Sequence, residues 1–126
     1  MGPFGFAAVG LGASLGAWLR WWLGYRLNSV FPTIPMGTLA ANLLGAFLVG
    51  VAIALFNRHP GLPAEARLMV VTGFMGGLTT FSTFSAEVVS LIGRAEYLWA
   101  AAAAGAHLAG SLLLTGLGIL LVELLS

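Results

Sequence analysis

Residues 37–56 read GTLAANLLGAFLVGVAIALF, with no charged residue among them and Thr38 and Asn42 as the polar side chains. A helix needs about 20 mostly apolar residues to cross the hydrocarbon core of a bilayer, and this run supplies that length. Its apolar residues do not alternate with polar ones, so it is a poor match to a strand of a transmembrane barrel. Inside lipid a segment must satisfy its own backbone hydrogen bonds, and the helix is the form that does so within one run.

Three further runs of the same kind flank it: Phe4–Leu23, Arg67–Ile92 and Tyr97–Leu125. Of the 126 residues, 60% are hydrophobic and 7% charged, where a soluble domain carries about 25% charge. There is no lysine, no aspartate and no cysteine, so no disulfide framework arises. A net charge of +1 favours neither nucleic acid nor acidic partners. The expected fold is an all-α integral membrane protein of four transmembrane helices, forming a single transmembrane domain over residues 1–126. The start, MGPFGFAAVGLGASLGAWLRWW, has no positive residue before its apolar run and no clear cleavage site. It reads as a first spanning helix instead of a signal peptide. Phe6 stands where a myristoylation signal needs Ser or Thr.

The connections are short. YRLNSVFPTIP and NRHPGLPAEA each hold two prolines, PAEAR carries a helix-start signal, and GRAEY is the tightest turn. Arg20, Arg26, Arg94 and Glu96 fall on one side of the alternating spans; Arg58, Glu65, Arg67 and Glu123 fall on the other. Three arginines against two give almost no bias to fix orientation. Such a chain can insert both ways and pair with itself antiparallel. Small residues recur at four-residue spacing: Gly12 with Gly16, Ala13 with Ala17, Gly73 with Gly77, and Ala102, Ala106 and Gly110. These faces allow close helix approach in lipid, either within one chain or between copies.

The third run is interrupted by GGLTTFSTFS, Gly76–Ser85. A Gly-Gly pair followed by hydroxyl residues is poor helix, since glycine costs about 1 kcal/mol against alanine. One reading is a kink whose hydroxyls bond back to the helix. The other is a discontinuous helix whose freed backbone groups meet an ion. Phe81 and Phe84 share a helix face. They suit lipid contact, or, through the positive edges of their rings, an anion. Polar residues align on faces: Thr38 with Asn42; Thr80, Thr83 and Glu87; His107, Ser111 and Thr115. Facing one another, these lines make a polar track through a bundle; singly, each residue is interhelical glue. Glu87 and His107 are ionisable groups at membrane depth, and such groups are functional candidates. His59 and His107 lack metal-ligand spacing. Arg20, at the end of the first helix, either snorkels to the interface or sets a positive field at a pore mouth. No nucleophile–base pair, phosphate loop or nucleotide motif is present, which argues against an enzyme.

GLGASLGAWLRWW, GTLAANLLGAFLVG and GFMGGLTTFSTFSAE, in that order and spacing, resemble the Fluc (CrcB-type) fluoride channels, with a looser match at AGSLLLTGLG. The resemblance implies a four-helix chain with a broken third helix, assembled as an antiparallel, dual-topology homodimer. It implies passive export of fluoride across the bacterial cytoplasmic membrane, and hence fluoride resistance. It makes Phe81 and Phe84 the aromatic pair on the fluoride path and Asn42 a pore-lining donor. Glu87 and Ser111 fall on the family's polar track, and Arg20 matches its arginine after the first-helix glycines; the aligned polar faces add Thr80, Thr83 and His107 to the candidate pore wall, with Arg20 at its vestibule. It also implies a structural sodium ion at the dimer centre, on the carbonyls of Gly76 and Thr79 of both chains. Ala103 and His107 depart from the family's usual Tyr and Ser in the last helix. The alternative is a small, dual-topology, proton-coupled drug exporter. That chemistry needs a membrane-embedded carboxylate, usually in the first helix; none is there, and Glu87 is the only candidate.

Overall fold

The computed structural model describes residues 2–126, and within them it is all helix, turn and loop. Helix α1 spans Pro3–Leu27, α2 Met36–Arg58, and α6 Tyr97–Leu125. Between them the chain runs through a short α3 (Ala64–Arg67), a π-helical stretch π1 (Leu68–Met75), a last turn α4 (Gly76–Leu78) and then α5 (Phe81–Gly93). Thr79 and Thr80 stand between α4 and α5 in extended geometry, at φ −88°, ψ 152° and φ −148°, ψ 114°. Among the described residues, three segments are long and apolar enough to cross a membrane: Met36–Arg58, Ala64–Gly93 and Tyr97–Leu125. Helix α1 matches them in length at 25 residues, but its glycines, tryptophans and arginines dilute its apolar character.

Local chemistry explains most helix ends. Pro3 opens α1, where a missing N–H costs nothing. Pro63 precedes α3, and Glu65 in its first turn favours the positive end of the helix dipole. The start of α2 is capped from a distance. Asn28, the C-cap residue of α1, turns its side-chain oxygen to accept the Gly37 N–H at 2.7 Å and the Thr38 N–H at 3.2 Å. Two orphan donors of α2 are satisfied by the preceding element.

The turn between α5 and α6 is a Schellman motif. The Glu96 N–H reaches the Leu91 carbonyl at 2.9 Å, and the Ala95 N–H reaches the Ile92 carbonyl at 2.9 Å. The position that usually takes glycine is Ala95, at φ 60°. The Arg94–Glu96 ion pair beside it, at 3.2 Å, is exposed and adds little.

Two helix pairings build the bundle: α2 lies along α6, and α1 lies along π1 and α4. Both are made by small residues. A side chain at Gly12 or Gly16 would run into the Met69 or Phe74 carbonyl, and one at Gly77 into the Ala13 carbonyl. Gly50 likewise abuts the Thr115 backbone, and Gly118 the Phe47 carbonyl. The small faces of the first and third runs therefore meet each other within one chain. Large apolar side chains point the other way: Leu11, Leu98, Leu112 and Leu113 are exposed, as lipid contact requires. Trp18, Trp21, Trp22 and Tyr25 also project outward from the C-terminal half of α1, an aromatic belt of the kind found at membrane interfaces. The buried cluster near α5 and α6 is small, with Leu91, Ala100, Ala103 and Ile34 packed under Phe31 and Val88. Ala103 is thus a packing residue.

Two stability measurements test this account. Gly50→Val forces α2 off α6 against rigid backbone and lowers stability by about 3 kcal/mol, read as an earlier midpoint in a detergent-unfolding titration. Ala95→Gly relieves the left-handed alanine and raises stability by roughly 0.5–1 kcal/mol; an unchanged or lower midpoint would contradict the Schellman assignment.

Candidate functional site

The two extended residues between α4 and α5 open the helical ladder, and side chains from three other helices close around the gap. The Asn42 side chain, on α2, pairs with both backbone groups of Thr80. Its Oδ1 accepts the Thr80 N–H at 2.7 Å, and its Nδ2 donates to the Thr80 carbonyl at 3.1 Å. The same Nδ2 lies 3.0 Å from Nδ1 of His107 on α6. On the α4 side, the Thr79 N–H and hydroxyl both donate to the Met75 carbonyl, at 3.0 and 2.8 Å. Arg20 of α1 donates through Nε to the Gly77 carbonyl at 3.0 Å. On the α5 side, Thr80 is the N-cap: its hydroxyl oxygen accepts the Thr83 N–H at 3.2 Å. A helix end with orphan groups is thus stitched on both sides.

A cavity of about 350 Å³ opens against this gap, walled by Asn42, Thr79, Thr80, Phe81, Phe84, His107, Ser111 and Thr115 with apolar neighbours. The Phe81 and Phe84 rings meet edge to face, with centroids 5.5 Å apart and planes at 66°. Phe84 also lies against the His107 ring, at 4.4 Å and 32°. Phe81 is 76% exposed in the single chain, so it projects beyond the chain's own surface. A second hollow of about 280 Å³ holds Arg20, Trp21, Tyr25, Asn28, Thr38, Thr80 and Thr83. Thr80 borders both.

The sequence-derived candidates sort accordingly. Asn42, Thr80, Phe81, Phe84, His107 and Ser111 come together at the first cavity. Thr83 and Arg20 lie at the second. Glu87 lines neither; its carboxylate accepts the Thr38 hydroxyl at 2.6 Å, and Thr38 lines the second hollow. Thr115, third in the α6 line, donates to the Ala46 carbonyl at 3.0 Å and so ties α6 to α2. Gly76 opens α4, and Thr79 is the C-cap residue that closes it. Sequence reasoning missed the Arg20–Gly77 contact and the Asn28 cap. The first joins residues 57 apart in the chain and the second residues 9 and 10 apart across a loop, so neither follows a helical repeat.

The arrangement offers no nucleophile paired with a base. It offers hydroxyl and ring-edge donors beside an interrupted helix, which suits passage of a small ion. Related proteins agree. The family model described as "CrcB-like protein, Camphor Resistance (CrcB)" matches residues 7–119. The chain is 56% identical over 126 residues to the fluoride-specific ion channel FluC of Nitrosospira multiformis, covering 100% of this chain and 98% of that relative. It is 60% identical over 123 residues to the protein of the same name from Bordetella pertussis, covering 98% of this chain and 94% of that one. The corresponding protein of Cupriavidus metallidurans is 56% identical over 119 residues, covering 94% of each chain. With a matching family model along most of its length and relatives this similar from end to end, the chain belongs to the CrcB-like family.

Proposed function

We propose that this chain is a fluoride-selective channel, which lets fluoride leave the bacterial cytoplasm passively across the cytoplasmic membrane and so confers fluoride resistance. The observation that carries the reading is the first cavity. There an aromatic pair and a row of donors converge on a helix interruption, in a chain whose relatives are named fluoride-specific channels. In this reading all four long segments span the membrane, the third being broken at Thr79–Thr80. Two copies pair as an antiparallel, dual-topology homodimer surrounded by membrane lipid. The high exposure of Phe81 supports a second copy, which would bring that ring into the interior.

Fluoride is small and holds its water tightly, so removing that water is the main barrier. The wall would replace it in parts. Ser111 offers a hydroxyl, and the Phe81 and Phe84 edges offer weakly positive hydrogens without the cost of a fixed charge. Asn42 holds the Thr80 backbone in place, so that the wall keeps its shape. Several moderate sites let an ion enter and still leave. Arg20 supplies positive potential at the second hollow, which would serve as the vestibule. Thr83 and the Thr38–Glu87 pair extend the polar lining toward it.

The donor set at the break also fits a structural sodium ion. Backbone carbonyls are hard oxygen donors, and the C-terminal end of the π1–α4 segment is the negative end of its dipole. The carbonyls of Gly76 and Thr79 from two chains would hold the ion at the dimer centre. Bound there, sodium would neutralise those carbonyls and add positive potential.

Vesicles containing the purified protein should lose fluoride and retain chloride, read with ion electrodes; fluoride retention by folded protein would refute the channel reading. Phe81→Ile should abolish or strongly cut fluoride efflux while leaving a monodisperse protein, and unchanged efflux would remove the aromatic role. Asn42→Ala leaves the Thr80 N–H and carbonyl unpaired at membrane depth, at a cost of about 1–3 kcal/mol per group. Its unfolding midpoint should fall, whether or not flux survives.

A further inference from the structure

The chain has four tryptophans and two tyrosines, and all six stand at one end of the bundle. Trp18, Trp21, Trp22 and Tyr25 lie on the last turns of α1, and Tyr97 and Trp99 open α6. These termini meet: Phe31, in the loop after α1, packs edge-on against Trp99, with ring centroids 5.5 Å apart. All six Trp and Tyr rings are exposed. The opposite end, where α2 finishes and α3 begins, has neither residue type; Phe4, Phe6 and Phe56 stand there instead.

Charge divides along the same line. At the opposite end Arg58 and Arg67 are matched by Glu65 and Glu123. At the aromatic end there are three arginines, and two are engaged: Arg20 bonds the Gly77 carbonyl, and Arg94 pairs with Glu96. Glu87, the other carboxylate near this end, accepts the Thr38 hydroxyl. Arg26 is exposed and has no carboxylate partner among the described residues. Its guanidinium lies over the Trp22 ring, one helical turn earlier, 5.8 Å from the centroid. Stacking on a ring occupies the face of a guanidinium and leaves its edge N–H groups free, and those form the fork that matches two phosphate oxygens. Trp21 and Tyr25 stack beside it, at 5.8 Å and 19°, and continue a flat apolar floor. Trp and Tyr rings settle at the level of lipid headgroups, so the fork is held at the depth where phosphates lie.

We propose that this end of the chain carries a site for an anionic phospholipid, whose headgroup phosphate is bound by Arg26 and whose glycerol region rests on the tryptophan and tyrosine rings. A zwitterionic lipid brings a cation of its own to the same place, so an unmatched arginine selects a headgroup of net negative charge. The site is separate from the cavity and does not depend on which ion the cavity passes. In the antiparallel pair proposed above, each membrane surface receives one such end.

Because every tryptophan is at this end, its fluorescence reports the site directly. Full-length protein in phosphatidylcholine vesicles is titrated with phosphatidylglycerol or phosphatidylcholine carrying brominated acyl chains, which quench tryptophan on contact. Brominated phosphatidylglycerol should quench with an apparent affinity about fivefold higher, the preference one basic residue gives near an anionic surface. Arg26→Gln should remove that preference while the protein elutes as one monodisperse species. Equal quenching by the two lipids in the wild type, or a preference that survives Arg26→Gln, overturns the proposal. Tryptophan fluorescence that neither lipid quenches marks a belt covered by a second copy of the chain and overturns it too. A preference erased by millimolar inorganic phosphate assigns the site to the free ion instead of the lipid. Should Arg26→Gln fail to fold, Arg26→Lys decides: it keeps the charge and loses the planar fork, and an undiminished preference there would mean diffuse surface charge and no seated-arginine site.

Discussion

The side-chain amide of Asn42 lies against the backbone of Thr80, donor to acceptor on both sides, at 2.7 and 3.1 Å. Lipid cannot take up a freed backbone group, so an interruption of the helix is tolerable only where protein replaces the lost bonds or the backbone lines a wet cavity. Asn42 does this in the manner of a neighbouring strand, and it does so from a different helix. The helix termini on either side depend on the same arrangement. Thr80 can cap α5 because its backbone is held extended, and the Gly77 carbonyl is free of the helical ladder for Arg20 to reach. Arg20 in turn reaches it because α1 lies almost in backbone contact with π1 and α4, which the glycines on both faces allow.

Several of the polar residues hold helices together, and some of the same residues border the cavity. Thr38, Thr79 and Thr115 spend their hydroxyls on protein, each fixing one helix end or one helix pair. Thr79 and Thr115 border the cavity all the same, together with Ser111, Phe81, Phe84 and His107. Asn42 belongs to both groups, since it borders the cavity while its amide hydrogens are taken. Donors locked by their neighbours keep the geometry that a desolvating ion needs.

Burial in this chain differs from the soluble pattern. Alanine and glycine fill much of the inside, with Leu78, Leu91, Thr38 and His107, while most leucine and aromatic side chains lie on the outside. Helix association here comes from close backbone approach and interhelical hydrogen bonds, because lipid tails are as apolar as leucine and give no drive to bury it.

The four apolar runs in the sequence each became helical, with ends displaced by a few residues: Phe4–Leu23 grew to Pro3–Leu27, and Gly37–Phe56 to Met36–Arg58. Those runs were legible because length and apolar composition are local properties that any helix in lipid must have. The weak point at Gly76–Thr80 was legible for the same reason, since glycine pairs and hydroxyl residues disfavour helix wherever they stand. Helical spacing also placed Asn42, Phe84, His107 and Ser111 on usable faces. It could not say which faces would meet. That depended on how far each helix is rotated and how closely it crosses its neighbour, and contacts such as Arg20 to Gly77 or Asn42 to Thr80 join residues 57 and 38 positions apart. The sequence therefore determined the helices and their polar stripes. The tertiary structure decided which hydroxyls and amides were consumed in holding the bundle and which were left for the cavity, because a hydrogen bond between helices depends on distances that no single helix contains.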